Sequence, residues 1–106
     1  MSDTIIKERP DVLNDFKEDA GLDEPPLYRV VLLNDDATSM DFVVDILLTV
    51  FHKSQDEAVN IMKKTHETGI GICGVYPHDI AQTYTVRVQK ISRNAGFPLR
   101  CIMEQT

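Results

Sequence analysis

The hydrophobic and polar positions from residue 27 onward change period several times, and each change marks a new predicted element. An aliphatic and β-branched run at 27–33 ends in the polar residues Asn34, Asp35 and Asp36, which is typical of a buried strand that leads into a loop. Helical spacing follows, because a hydroxyl residue stands three positions before an acidic one at 38–41 and apolar residues then recur three or four apart. The first helix is predicted to run to about Phe51 and to bury Val43, Ile46, Leu47 and Val50.

The same signals predict two further helices and two further strands. A capping box at 54–57 opens the second helix, Gly69 closes it, and a strand at 70–76 follows. A third helix begins after a proline and ends at Gly96, and alternation at 99–104 predicts a last strand. The apolar stripes are Ala58, Ile61, Met62 and Thr65 on the second helix, Ile80, Tyr84, Val88, Ile91 and Ala95 on the third, and Leu99, Cys101 and Met103 on the last strand.

The resulting order of elements is β-α-α-β-α-β. Three strands cannot bury both faces of a sheet by themselves, so helices must cover at least one face. The fold class is therefore predicted to be α+β: a small three-stranded antiparallel sheet covered by three helices.

The charges divide the chain into two parts. The 106 residues carry a formal net charge of -6, and most of the excess lies in 1–26, where eight acidic residues face three basic ones. Residues 27–106 are nearly balanced and are long enough to bury a core. We therefore expect a flexible acidic N-terminal extension at 1–26, closed by two prolines, and one folded domain at 27–106.

Composition also excludes several classes of function. An acidic balance, with a pI near 4.9, argues against binding of nucleic acid or of an anionic membrane surface, since both depend on lysine and arginine. The N-terminal part lacks the pattern of a signal peptide, and no apolar run approaches the length of about 18 residues that a membrane span needs. A cytoplasmic location is predicted.

The side chains that carry chemistry are sparse. Cys73 and Cys101 form no C-x-x-C pair, and in a reducing compartment isolated cysteines on strands are expected to be small buried hydrophobic residues. The three histidines lack metal-site spacing, and no glycine-rich loop matches a phosphate-binding or dinucleotide-binding fingerprint. No metal, cofactor or activated nucleophile is predicted, and an enzyme is disfavoured.

One group of polar and apolar residues has two interpretations. In the first, Asn34, Asp35 and Asp36 form a turn, Thr38 caps a helix, the methionines fill the core and the histidine is an ordinary surface residue. In the second, acceptors from the loop and from the second helix surround a hole beside two methionines, which would suit a primary ammonium carried on an apolar side chain. Spacing alone favours the first interpretation. The residues concerned are Asn34, Asp35, Asp36, Thr38, Met40, Met62, Thr65 and His66.

A wider set of residues follows one order along the chain: Leu32-x-Asn34-Asp35-Asp36-x-Thr38-x-Met40-x-Phe42-Val43, then Met62-x-x-x-His66, then Gly69-x-Gly71-x-Cys73-Gly74-Val75, and finally Pro98-Leu99. In this combination the chain resembles the ClpS family, the bacterial N-degron adaptors of the Clp AAA+ proteases. The similarity spans about residues 27–104. It implies the small sandwich fold of that family and a recognition component that is not an enzyme.

The resemblance also implies a specific function. The protein would bind other proteins whose first residue is Phe, Tyr, Trp or Leu and deliver them to a ClpA-like or ClpC-like unfoldase. The α-amino group and first peptide unit would be held by Asn34, Asp35, Asp36 and His66. The side chain would occupy a pocket lined by Leu32, Thr38, Met40, Met62, Thr65 and Leu99.

Two positions depart from the pattern of the family. Thr65 stands where the pockets of the family generally carry an aliphatic residue, which leaves the order of preference among the four first residues open. On the surface that would face the unfoldase, Asp79 keeps a charge but Tyr84 replaces a position that is often basic, which leaves the choice of unfoldase open.

Two other classes of protein remain as alternatives. One is a docking domain of the ribosomal-stalk type, which has a similar outline but no amine pocket. The other is a small hydrolase that uses Cys73 or Cys101.

Overall fold

The computed structural model describes residues 25–106 and confirms the predicted order of elements. Within this part, the three strands form one antiparallel sheet in the order β2-β1-β3, so the α+β prediction is correct. The predicted acidic extension lies almost entirely outside the described residues. The elements are β1 (Leu27–Leu33), α1 (Met40–Thr49), α2 (Gln55–Thr68), β2 (Ile70–Pro77), α3 (His78–Ala95) and β3 (Arg100–Gln105).

The register gives the sheet two different ends. Leu33, the last residue of β1, pairs with Ile70 on one side and with Arg100 on the other, so β1 ends where β2 and β3 begin. We call this the loop end, because the 34–39 loop leaves the sheet there. At the other end, Leu27 pairs with Pro77 and its carbonyl accepts a hydrogen bond from the Thr106 N–H at 3.0 Å. We call this the closed end.

The core lies between one face of the sheet and the helices. Side chains alternate across a strand, so residues two apart share a face. Val31 of the central strand is buried on the face opposite Val30 and Leu32, where it pairs with Ile72 and Ile102. The inner face carries Val30, Leu32, Cys73 and Cys101, and the predicted stripe on α1 is buried against it. The outer face is apolar but largely exposed and includes Ile70, Ile72, Val75 and Ile102.

The helix boundaries follow local hydrogen bonding. The capping box of α2 is present as predicted, with Ser54 and Glu57 satisfying each other's backbone N–H groups. The N-cap of α1 is Ser39, whose hydroxyl accepts from the Phe42 N–H at 3.2 Å, so the assignment of Thr38 as a cap is wrong. The α1 helix ends at Thr49, two residues before the predicted end.

The buried face of α3 differs from the predicted stripe. Tyr84, Val88 and Ile91 pack at least partly against the core, but Ile80 is exposed. Ala95, the last residue of that stripe, is exposed too. Small side chains let a helix approach a sheet closely, and hydrophobicity alone does not identify them. The buried residues of α3 are Ala81, Thr85, Val88 and Ser92.

Candidate functional site

The loop end brings the two polar parts of the predicted site together. The Asn34 N–H donates to the Gly69 carbonyl at 2.9 Å, which joins the end of β1 to the C-cap of α2. His66 lies in the last turn of α2, three residues before Gly69, and its side chain is exposed. The acceptors that the sequence separates by about thirty positions therefore belong to one end of the molecule.

The two carboxylates of the loop have different surroundings. One oxygen of Asp35 accepts from the Ala37 N–H at 2.9 Å, and the other accepts from the Thr38 hydroxyl at 2.7 Å. Asp35 thus folds the loop back on itself as a side-chain turn, and Thr38 is its partner. Asp36 is exposed. The turn interpretation is confirmed for Asp35, but Thr38 serves that turn and not the helix.

The predicted hydrophobic pocket residues lie at three depths. Leu32 is fully buried and Leu99 is 5% exposed, so both belong to the core beneath the loop end. Met62 is half-buried against this core, and Met40, at the first position of α1, is 49% exposed. Met62 therefore packs against the core, whereas Met40 is not among the residues that do so. Both are flexible side chains that can adapt to a ligand.

Two aromatic rings hold the start of α1 against the segment before β3. Phe42 and Phe97 have ring centroids 4.6 Å apart, tilted by 39°. Such a pair stabilises beyond the area that it buries. Through this contact, the methionine at the start of α1 is held near the segment that carries Leu99.

Thr65, the position that departs from the family pattern, is buried and its hydroxyl is satisfied. It donates to the Ile61 carbonyl at 2.7 Å, within α2. A Cβ built at Gly71 of β2 would collide with the Thr65 hydroxyl oxygen. A side chain at position 71 would therefore force Thr65 to move, a constraint that sequence reasoning missed.

The two residues predicted to face an unfoldase differ in exposure. The Asp79 side chain is 99% exposed and lies 3.2 Å from the His78 Nδ1, at the start of α3 and so near the closed end. The Tyr84 ring is half-buried and packs edge-on against Phe51 and Tyr76, with centroid distances of 5.3 and 5.0 Å. Asp79 is available to a partner, whereas the ring of Tyr84 is largely committed to packing.

The two cysteines are free, buried and poorly suited to nucleophilic chemistry. Burial raises the pKa of the Cys101 thiol to about 11, and a hydrogen bond with Thr85 opposes this only in part. Burial, together with the nearby Cys101, raises the pKa of Cys73 as well. Because the thiolate is the reactive form, both thiols are unreactive at neutral pH.

Within residues 25–106, no group of three or more histidine, cysteine or acidic side chains is placed to hold a metal ion. In the same range, no helix is long and apolar enough to cross a membrane. What the loop end does offer is hydrogen-bond acceptors and negative charge beside an apolar wall. Fold and site together define a small binding domain.

Comparison with known proteins specifies this class further. The family model described as "ATP-dependent Clp protease adaptor protein ClpS" matches residues 23–102. Among curated relatives, the ATP-dependent Clp protease adapter protein ClpS of Wolinella succinogenes is 43% identical over 101 residues, which cover 95% of this chain and 99% of that protein. The protein of the same name from Oleidesulfovibrio alaskensis is 48% identical over 105 residues, which cover 99% of both chains.

A solved structure agrees with these matches. The structure of Agrobacterium tumefaciens ClpS2 bound to L-phenylalaninamide has a TM-score of 0.76 and 37% sequence identity, and the match covers 78% of this chain and 100% of that chain. The chain belongs to the ClpS family. It is an adaptor of a Clp protease and not an enzyme, and its partners are that protease and the substrates it presents. The stalk-type and hydrolase alternatives are thereby set aside.

Proposed function

We propose that this adaptor binds proteins that begin with Phe, Tyr, Trp or Leu and delivers them, in the cytoplasm, to a ClpA-like or ClpC-like unfoldase. The observation that carries the proposal is the hydrogen bond from Asn34 to Gly69. It places an acceptor-rich loop next to the turn of α2 that carries His66. The similar ClpS2 structure with L-phenylalaninamide supports a ligand that combines a free amine with an aromatic side chain.

The polar part of the site is suited to an α-ammonium group. Such a group presents three donors and one positive charge, so it requires several acceptors in a region of negative potential. The side-chain oxygen of Asn34 and a neutral ring nitrogen of His66 supply acceptors. Asp35 and Asp36 supply negative charge, and Asp35 also fixes the loop through its bonds to Ala37 and Thr38.

The apolar part of the site is suited to a large first side chain. Leu32 and Leu99 form a rigid floor, because both are buried in the core. Met40 and Met62 supply polarizable and adaptable walls. In this arrangement, the half-exposed Met40 acts as a gate that accepts an unbranched Cβ and rejects Ile and Val.

Delivery requires a contact with the unfoldase and a segment that enters it. Asp79 is an exposed charge that we assign to docking, and it lies at the opposite end of α3 from β3. The acidic segment 1–26, nearly all of it outside the described residues, is the part assigned to entry. A chain of that length reaches on the order of 25–30 Å as a coil, enough to enter a channel while the domain stays docked.

A reconstituted degradation assay tests this function. A reporter with an N-terminal Phe is incubated with the unfoldase, its peptidase and this adaptor, and the loss of reporter is followed. We expect rapid loss with the intact chain, little with Asn34→Ala, and little after removal of residues 1–20, although the truncated chain should still bind the peptide. Undiminished degradation by the truncated chain would contradict the role assigned to the acidic segment.

A further inference from the structure

A concave site lies between α3 and β3, along one free edge of the sheet. It is a groove of about 340 Å³. One wall is the C-terminal half of α3, the other is the start of β3, and the connecting segment closes one end. The lining residues are Gln89, Ser92, Arg93, Phe97, Pro98, Leu99, Arg100, Cys101 and Ile102. Leu99 is shared with the predicted first-residue pocket, but no other residue is.

The groove is positively charged. Arg93 and Arg100 line it, and its lining includes no carboxylate. From residue 80 to its end, α3 carries basic residues and no acidic one. Guanidinium groups bind carboxylates through paired, charge-assisted hydrogen bonds. The charge therefore favours an anionic ligand, in contrast with the acidic loop at Asn34–Asp36.

Ser92 lines the groove and carries a buried hydroxyl that makes no hydrogen bond among the described residues. The residue is 2% exposed. The usual partner of a helical hydroxyl is the carbonyl four positions earlier. That bond is made by Thr49, Thr65, Thr68, Thr83 and Thr85. Since a buried polar group without a partner is costly, the Ser92 hydroxyl is a donor that a ligand in the groove would satisfy.

The edge of β3 excludes one kind of ligand. Gln89 donates from its side-chain nitrogen to the Cys101 carbonyl at 3.1 Å. This bond occupies a backbone acceptor on a strand whose other neighbour is β1 alone. A side chain that covers an edge in this way opposes the addition of a further strand. The groove is therefore suited to a compact anionic group and not to an extended strand.

We propose that the α3–β3 groove binds a carboxylate carried on an apolar body, as at the C-terminal residue of a peptide that ends in Leu or Phe. Arg93 and Arg100 provide the opposite charge, and Ser92 donates to a carboxylate oxygen. Phe97, Pro98 and Ile102 contact the apolar body. This site is separate from the amine site and does not depend on the proposed function.

The test uses an N-acetylated tetrapeptide that ends in Phe, either as the free acid or as the C-terminal amide. Acetylation keeps both peptides out of the amine site, and each is titrated into the full-length chain. We expect the free acid to bind at least about tenfold more tightly than its amide twin, because the amide has no charge for the arginines. Equal affinity of the two peptides would overturn the proposal.

Single substitutions test which residues bind the free-acid peptide. Arg93→Gln and Arg100→Gln should each weaken binding of the free acid about tenfold, whereas Lys90→Gln, which removes an α3 cation outside the lining, should leave it unchanged. Ser92→Ala should weaken binding without lowering the stability of the protein, since it removes a buried group that has no partner. Equal effects of Lys90→Gln and Arg93→Gln would show a general effect of net charge and contradict a defined binding site in the groove.

Two further measurements distinguish this site from the amine site and identify its ligand. Asn34→Ala should abolish binding of a Phe-starting peptide but leave binding of the acetylated free acid intact, so either proposal can fail alone. Titration with 3-phenylpropionate identifies the source of the carboxylate. If 3-phenylpropionate binds more weakly than the peptide, the natural ligand is a peptide C-terminus. If the two bind equally, a free apolar acid is sufficient. If Asn34→Ala also abolishes binding of the acetylated free acid, the claim that the two sites are separate is wrong.

Discussion

The two ends of the sheet are built from the same three strands but are covered differently. At the closed end, edge-on aromatic contacts join Tyr28 to His78 and Tyr76 to Tyr84, and Thr106 seals the start of β1 by hydrogen bonds. At the loop end, the sheet is covered by a polar loop, by partly exposed methionines and by Thr65, whose hydroxyl donates to a carbonyl within α2. Rings fill space tightly and specify one packing, whereas methionines adapt to what they contact.

From this difference we expect the closed end to contribute mainly to stability and the loop end to carry the proposed recognition. Substitutions at the closed end should lower the free energy of unfolding and leave peptide affinity unchanged. Substitutions at the loop end should change affinity or selectivity more than stability. Exceptions are expected where a loop-end residue also packs against a neighbouring element, as Gly71 does against Thr65.

The largest effect on stability is expected for Tyr84→Ala. Removing a ring that packs against Phe51 and Tyr76 should lower the free energy of unfolding by about 3 kcal/mol, with peptide affinity within about twofold of the parent. Denaturant unfolding and peptide titration measure the two effects. Tyr84→Phe, which keeps the ring, serves as the control and should be nearly neutral. Strongly reduced peptide affinity in a folded Tyr84→Ala protein would break the division between the two ends.

Gly71→Ala should cost about 2 kcal/mol, because the added methyl group overlaps the buried Thr65 hydroxyl. Peptide affinity should fall too, since Thr65 lies in the predicted pocket. The double variant with Thr65→Ala should recover part of the stability, as unfolding in denaturant would show. Thr65→Ala alone is the control, since it removes the hydroxyl without adding a methyl group at position 71. A double variant no more stable than Gly71→Ala would mean that Thr65 is not the cause.

Met40→Ala should change selectivity with little effect on stability. The residue is 49% exposed, so truncation removes few core contacts, but it widens the proposed gate. Peptides that begin with Ile or Val should gain about tenfold in affinity relative to the parent, a difference of about 1.4 kcal/mol. Met40→Leu, which conserves volume, should preserve the exclusion. If the variant loses affinity for every peptide and gains none for Ile or Val, Met40 only fills space.

The smallest effect concerns alkaline pH. The pKa of Cys101 is raised from its ordinary value of 9.0 to about 11, so the folded state retains a proton that the unfolded state releases. Stability is therefore complete below pH 9 and is lost as pH rises toward 11, by about 1 kcal/mol at pH 9.5 for this thiol. Unfolding in urea at pH 7 and pH 9.5 measures the loss. Cys101→Ala should show a smaller pH dependence, and an unchanged dependence would exclude this thiol as the cause.

Sequence periodicity predicted the order of elements and most of the core. The stripe on α1 and the capping box on α2 were predictable because each depends on side chains a few positions apart. The residues of the proposed amine site were predictable only by resemblance. Asn34 and His66 lie on different elements, and no spacing rule relates them before the Gly69 contact is known.

Other features depend on tertiary packing and were missed. The inner face of α3 is formed by small residues, Ala81, Thr85 and Ser92, whose burial follows from close contact with the sheet and not from hydrophobicity. The exchange of Thr38 for Ser39 as the N-cap follows from a competing bond to Asp35. The α3–β3 groove was invisible in sequence, because Arg93 and Arg100 face it from elements on either side of a turn.

The most direct test of the central claim, that the loop end recognises a free α-amino group, is a titration of a Phe-starting peptide against its N-acetylated twin. Burial of the Phe side chain contributes about 1.5–3 kcal/mol, and charge-assisted hydrogen bonds add similar amounts, so we expect micromolar affinity for the free amine. Acetylation removes the charge and leaves the acceptors of Asn34 and His66 without a donor, so binding should weaken at least about 100-fold. Equal affinity of the two peptides would contradict the account.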